Sequence, residues 1–160
     1  MDERTYKKGV LNMRVKYIEN IEQWASEFSF YSEVKVRFSE TDMYGHLNNT
    51  VPFIYFEQAR IDYLNATGIM KDWNQSEGAS IIVVADLQCD FLRQAYFNDR
   101  LRIFVKTASV GSSSIDIHYL AKNDQDEPVF VGRGALVQIN PKTGKSIPLT
   151  EEDKTILLGK

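Results

Sequence analysis

At 160 residues, with 43% hydrophobic and 26% charged residues, the chain has the length and composition of one globular domain with its own core. A formal net charge of -3 gives no general attraction to nucleic acid or an anionic membrane, and no stretch reaches the roughly 20 apolar residues of a spanning helix. The single cysteine, Cys89, excludes an intrachain disulfide and a cysteine-built metal site, and His46 and His118 show no paired metal-ligand spacing.

The first 16 residues are polar, lack the apolar stretch of a secretory signal and are expected to be loosely ordered; cytoplasmic residence is the default. Ile18, Ile21, Trp24, Ala25 and Phe28 recur at helical spacing, so residues 1–30 read as an N-terminal extension carrying a short helix, ahead of a main domain over 31–160. Tyr31–Phe38 alternates, with Val34, Val36 and Phe38 on one face, and reads as a strand. A polar loop follows, and then a helix capped by Asn49 or Thr50, with Pro52 in its first turn and Gly68 as its stop. Ile54, Phe56, Ile61 and Leu64, widened by Phe53, Ala59, Arg60 and Tyr63, predict that most of this helix is covered. After the polar stretch at 71–80, four strands are expected: Ser80–Leu92, Arg100–Val110, Ser113–Lys122 and Pro128–Asn140. The turns at Asn98-Asp99, Gly111-Ser112 and Asn123–Glu127 are short enough for antiparallel connections. Leu149–Leu158 predicts a terminal helix starting at Thr150, with Glu151 and Glu152 in its first turn. Strand, long helix, then consecutive strands define an α+β domain with the sheet curled around one helix, unlike a doubly wound fold with helices between strands.

The chemistry concentrates between Val36 and Arg60. Asp42 sits in a loop with Gly45, beside the unpaired amides of a helix start, so its carboxylate is placed to attack a carbonyl or activate a water. Asp is equally at home as a turn residue in such a loop, and residue type alone divides the two readings evenly. His46 can polarise a carbonyl, donate a proton or orient Asp42; by itself a helix-entry hydrogen bond is the commoner role. Asn48 and Asn49 can orient water or substrate, or cap the helix. The amides around Asn48, Asn49 and Thr50 form the natural oxyanion position. Elsewhere, Glu57 and Arg60 are spaced to pair on one helix face, and Arg60 with Asp62 or Glu57 reads as a structural pair. Cys89 reads as a small buried hydrophobe, and His118, opposite Ile115 and Ile117 on its strand, as a solvated or interface residue. The hydroxyls and amides of the 111–114 turn suit a phosphate or pantetheine chain as well as a plain hairpin.

The stretches RFSETDMYGHLNN and FIYFEQAR resemble the strand, D-x-x-G-H-x-N-N loop and F-E-x-A-R helix of hot-dog-fold acyl-CoA thioesterases, the 4-hydroxybenzoyl-CoA thioesterase-like family. A looser likeness runs through FLRQAYFNDRLRI and VGSSSIDIHY, so that it spans roughly residues 33–140. The resemblance implies a hot-dog fold and a homodimer or dimer-based tetramer with sites at the protomer interface. It further implies hydrolysis of an acyl-CoA thioester to free acid and CoA, with no metal or redox cofactor. Asp42, His46 and Asn49 would be catalytic, and Asn48, Thr50 and Tyr44 would bind the substrate carbonyl. Ser112, Ser113 and Arg93 are the candidates for CoA contacts. Tyr44 departs from the asparagine of the similar D-x-N-x-H-x-N-N loop of plant acyl-carrier-protein thioesterases, and Arg93-Gln94 departs from a proline-containing turn. A non-catalytic acyl-CoA-binding module is the alternative from another class, and a hydroxyacyl-thioester dehydratase fits the Asp42-centred loop less well.

Overall fold

The computed structural model describes residues 15–71 and 80–159. Most of the polar N-terminal stretch and of the 71–80 loop anticipated from the sequence lies outside the described residues. One antiparallel sheet is formed by β1 (Phe30–Lys35), β2 (Ile81–Val84), β3 (Gln88–Phe91), β4 (Arg100–Val110), β5 (Ser114–Lys122) and β6 (Pro128–Ile139). Its order is β1-β4-β5-β6-β2, with β3 also on β6. The sheet curls around helix α2 (Val51–Thr67); the shorter α1 (Ile21–Ser26) and α3 (Glu151–Leu158) lie at either end of the chain. This is the expected hot-dog architecture.

Phe56 on α2 stacks on Tyr119 of β5 at 4.3 Å and meets Phe130 of β6 edge-on at 5.7 Å. Helix and sheet come this close because Gly132, beside Tyr119 in the ladder, leaves its Cβ space to the Phe56 ring. The helix ends at Gly68, whose φ of 86° is the left-handed conformation that glycine adopts without strain. Thr150 and Asp153 cap α3 reciprocally, as the sequence of that turn suggests.

Four expectations for β1, β2, β3 and α2 change. The strand foreseen over Ser80–Leu92 is split into β2 and β3, because Val84 pairs with Leu136 and Gln88 with Arg133, four steps facing three. Asp86 occupies the break and accepts the Ala135 amide at 2.8 Å. β1 ends at Lys35, and Phe38 enters a 3-10 turn (Phe38–Glu40) that carries it out to 76% exposure instead of onto the core face with Val36. On α2, Ile54 and Ile61 face outward, so the covered stripe is Pro52, Tyr55, Phe56, Ala59, Arg60 and Leu64. Arg60 does not pair with Glu57 or Asp62: it is buried and donates to Tyr119 Oη at 3.1 Å.

The N-terminal segment is part of the packing. Val15, Ile18 and Trp24 form a second apolar cluster with Leu120 and Val131 on the outer face of the sheet. His118 lies beneath it, buried instead of solvated: Trp24 Nε1 donates to its Nδ1 at 2.9 Å and Asp116 faces its Nε2 at 3.3 Å. With Nδ1 accepting, the ring is neutral and carries its proton on Nε2. Burial lowers the His118 pKa most, with Lys106 and Arg133 acting in the same direction and Asp116 opposing them.

Candidate active site

Two chain segments run side by side beyond the sheet and build the site. Val36 exchanges hydrogen bonds with Asn98 and Asp99, the Leu47 amide reaches Ala95 O at 2.7 Å, and His46 bridges Tyr96. Between these anchors the chain makes a tight loop, closed by the Thr41–Leu47 bridge and by Asp42 N–H donating to His46 O at 2.8 Å. Gly45 turns the loop at φ 78°, where a side chain would be strained. Asp42 Oδ1 accepts the amides of Tyr44 (2.8 Å) and His46 (3.1 Å), a self-capped turn. Asp42 Oδ2 receives no hydrogen bond among the described residues.

The helix start offers fewer free donors than the sequence suggests. Asn48 Oδ1 folds onto the Thr50 amide and hydroxyl, each at 3.0 Å, and the Asn48 amide donates to Glu40 O at 2.8 Å. Pro52 has no amide hydrogen. Of the three amides foreseen as an oxyanion site, those of Asn48 and Thr50 are therefore engaged; only that of Asn49 has no acceptor among the described residues. The short polar side chain of Asn48 competes for the orphan donor, as asparagine does at helix starts.

A cleft of about 170 Å³ collects Asp42, His46 and Asn49. Arg93 and Gln94 join them, and Leu47, Phe91, Ala95, Val129 and Phe130 provide apolar wall. A carboxylate, an imidazole, two amide side chains and a guanidinium thus share one small concavity with an apolar side, which suits a polar reacting group carried on a hydrophobic chain. Arg93 is tethered through its Nη2 to Glu127 at 3.1 Å. The His46 ring lies 5.2 Å from that of Tyr96, edge to face. Tyr44 stands at the surface, 76% exposed, with its ring 6.4 Å from that of His46.

Ser112 and Ser113 are not brought to this cleft within one chain. They follow Val110, at the far end of β4 from Arg100, a separation of roughly 33 Å along the strand. Their carbonyls are instead engaged within the fold, that of Ser112 accepting from Leu149 in the C-terminal segment and that of Ser113 from Gln138 of β6. Phe91, Gln94 and Ala95 are wall residues that the spacing of charged and polar groups does not single out. Their one signal is the FLRQAYF stretch, whose place beside the loop depends on the long-range pairing of residues 95–99 with 36–47.

The curled sheet, the central helix and a carboxylate loop at the helix start define a hot-dog protein of the thioesterase type. The model of the thioesterase-like superfamily matches residues 36–156, and the chain belongs to that superfamily. A Bacillus subtilis protein named only as uncharacterized YsmA is 47% identical over 137 residues, 86% of this chain and 90% of that one. A thioesterase from Thermus thermophilus, solved with coenzyme A and zinc, is 34% identical with a TM-score of 0.68, covering 83% of this chain and 97% of its own. The chloroplastic acyl-acyl carrier protein thioesterase ATL3 of Arabidopsis thaliana is 26% identical over 69% of this chain, and this chain spans 58% of its length. No helix among the described residues is long and apolar enough to cross a membrane.

Proposed function

We propose that the protein hydrolyses acyl-CoA thioesters, with Asp42 as the working carboxylate. The observation that carries this reading is that Asp42, His46 and Asn49 line one cleft, with Asp42 Oδ2 and the Asn49 amide both without a hydrogen-bond partner among the described residues. A thioester carbonyl directed at that amide gains electrophilicity, while Oδ2 attacks its carbon or takes a proton from the attacking water. The bond broken is carbonyl carbon to sulfur, and the products are the carboxylic acid and the thiol. His46 and the Asn49 side chain orient the reacting groups. Arg93 contacts the CoA arm, and Tyr44 covers the approach. CoA is favoured as the carrier because the Thermus thermophilus thioesterase was solved with it. Cytoplasmic residence suits such a substrate.

We further propose a homodimer or dimer-based tetramer. β2 ends the sheet order and exposes Ile81 and Val84, and Ile54 and Ile61 lie bare on α2, apolar surface that association would cover. In that assembly Ser112 and Ser113 would serve a neighbouring protomer's site.

The test is thiol release across short, medium, long and aromatic acyl-CoAs, with Asp42→Asn and Asp42→Ala beside the parent protein. Loss of turnover by at least about 100-fold with fold and oligomer intact supports the assignment. Unchanged turnover rejects it. The turn role of Asp42 Oδ1 favours one alternative, a binding module that retains acyl-CoA without cleaving it. Tight acyl-CoA binding with no thiol released by the parent protein would establish that alternative.

A further inference from the structure

Glu40 is a carboxylate with only 6% of its surface exposed, two residues before Asp42, and the reaction as described gives it no task. Its side chain is fully engaged. Oε2 accepts the Arg37 amide at 2.8 Å and Tyr55 Oη at 2.6 Å; Oε1 accepts Arg37 Nε at 3.1 Å and Nη2 at 2.7 Å. Its backbone oxygen accepts the Asn48 amide at 2.8 Å. One residue therefore binds the base of the Asp42 loop, the segment entering α2 and, through Tyr55, the second turn of α2 itself.

These ties matter because of what they join. On its other side the loop is held to Ala95, a residue of the cleft wall, and to Tyr96 next to it. On the helix side, Glu40 provides the side-chain bond to α2 among the described residues. Beside the loop's own Asp42–His46 hydrogen bonds, Glu40 thus ties Asp42 to the Asn49 amide by a second path: forward two residues to one group, and across the Asn48 hydrogen bond to the other. Burial alone would raise the pKa of Glu40, but hydrogen bonds from Arg37 and Tyr55 outweigh that and hold it below the ordinary carboxylate range. The anchor is thus charged, and its hydrogen bonds are of the stronger charge-assisted kind.

Resting on the thioesterase reading, we infer that Glu40 and Tyr55 are positioning residues: together they lock the Asp42 loop to helix α2 and so set the carboxylate against the Asn49 amide. Neither touches the reacting atoms. Their contribution is geometric, and displacement of a catalytic group by about 1 Å costs on the order of 100-fold in rate.

The test uses Tyr55→Phe, which removes a single hydroxyl, with Glu40→Gln and Glu40→Ala as a graded pair. Two readouts are taken: steady-state hydrolysis per folded molecule, and amide hydrogen exchange. For Tyr55→Phe the expected result is a fall in kcat of about 10-fold with KM within about two-fold, since the loss is in the transition state rather than in binding. The amides of Asp42, Gly45 and His46 should exchange about 10-fold faster while those of β4 and β5 keep their protection. Glu40→Gln, which keeps an acceptor for Tyr55, should retain more activity than Glu40→Ala. The inference is overturned if loop exchange is unchanged in Tyr55→Phe, if it rises with kcat per folded molecule intact, or if Gln and Ala are equally impaired. A parent protein without turnover would instead reject the thioesterase reading; loop exchange in the same variants would then still decide whether this lock exists.

Discussion

Gly132→Ala tests the closeness of helix and sheet that places the loop. A Cβ at this position would stand 2.5 Å from Phe56 Cε2 and 2.6 Å from both Phe56 Cζ and Gln88 O. Ordinary contact begins near 3.4 Å, so the ring must retreat by about 0.9 Å, and the Gln88 carbonyl blocks relief on the other side. Phe56 is fully buried between Tyr119 and Phe130 and has no open volume to enter. Overpacking of this kind costs about 1–3 kcal/mol, and two immovable neighbours put it at the top of that range. Removing glycine's extra freedom in the unfolded chain returns about 0.7 kcal/mol, leaving a net loss of about 2 kcal/mol. For a domain of this size that is a Tm lower by about 4–8 °C. Gly111→Ala is the control: its new Cβ would meet Ser114 Oγ at 2.6 Å, a hydroxyl that can rotate away, and its cost should stay below about 0.5 kcal/mol. Thermal and urea unfolding measure both variants. A Gly132→Ala protein within about 1 °C of the parent, or a Gly111→Ala protein equally destabilised, would refute the packing argument.

Two further outcomes concern titratable groups away from the cleft. His118 has its folded pKa below the ordinary 6.5, so its contribution to stability is complete above pH 6.5 and is lost as pH falls through the folded value. Protonation also turns Nδ1 from acceptor to donor and breaks the Trp24 bond. Urea titrations from pH 8 to 5 should show stability falling on the acid side, less steeply in His118→Gln. In a Trp73→Phe background, which leaves Trp24 as the only indole, its emission should shift over the same range. Cys89 packs half-buried against the core, and burial, with Asp90 adding to it, pushes its thiol up to about 12 from 9.0. At pH 8 its thiolate fraction is then about 1,000-fold below that of an open cysteine, and iodoacetamide labelling should be slow in the native protein and fast in urea. Equal rates would contradict the buried placement.

Local chemistry makes the loop legible in the sequence: Asp42, Gly45, His46 and the two asparagines are fixed by the demands of one turn and one helix start. The strands are legible from their alternation. What escapes depends on partners distant in the chain. Nothing local distinguishes the outward Ile54 and Ile61 of α2 from the inward Phe56, because the face is chosen by where Gly132 and Tyr119 admit the helix. The break at 85–87 hides in an apolar run, and only Asp86 marks it. Strand alternation leaves His118 as a solvated or interface residue, since it reports the face but not that Val15, Ile18 and Trp24 return to cover that face. Asn48 and Thr50 have the right backbone position for oxyanion amides, while the acceptors that engage them, Glu40 O and the Asn48 side chain, are invisible in residue order.

Asp42 has room for both of the roles that the residues alone leave even. A turn-forming aspartate and a reactive carboxylate look like alternatives only if the group is treated as one acceptor. It has two oxygens, and the loop uses one: Oδ1 takes the Tyr44 and His46 amides, which fixes the carboxylate plane and removes the rotational freedom that a loop side chain would otherwise lose on meeting substrate. Neither bond occupies the lone pairs of Oδ2, which an attacking group or a base needs. In the proposed hydrolysis the turn would therefore prepare the chemistry and also limit it, since Oδ2 alone is left to act. Replacement by asparagine can preserve the Oδ1 bonds while substituting an NH2 donor for Oδ2. Asp42→Asn should thus keep the loop's amide protection and lose turnover, whereas Asp42→Ala should lose both. If the two variants were equally unprotected, Oδ1 would not be holding the loop; if Asp42→Asn kept its turnover, Oδ2 would not be the reacting atom.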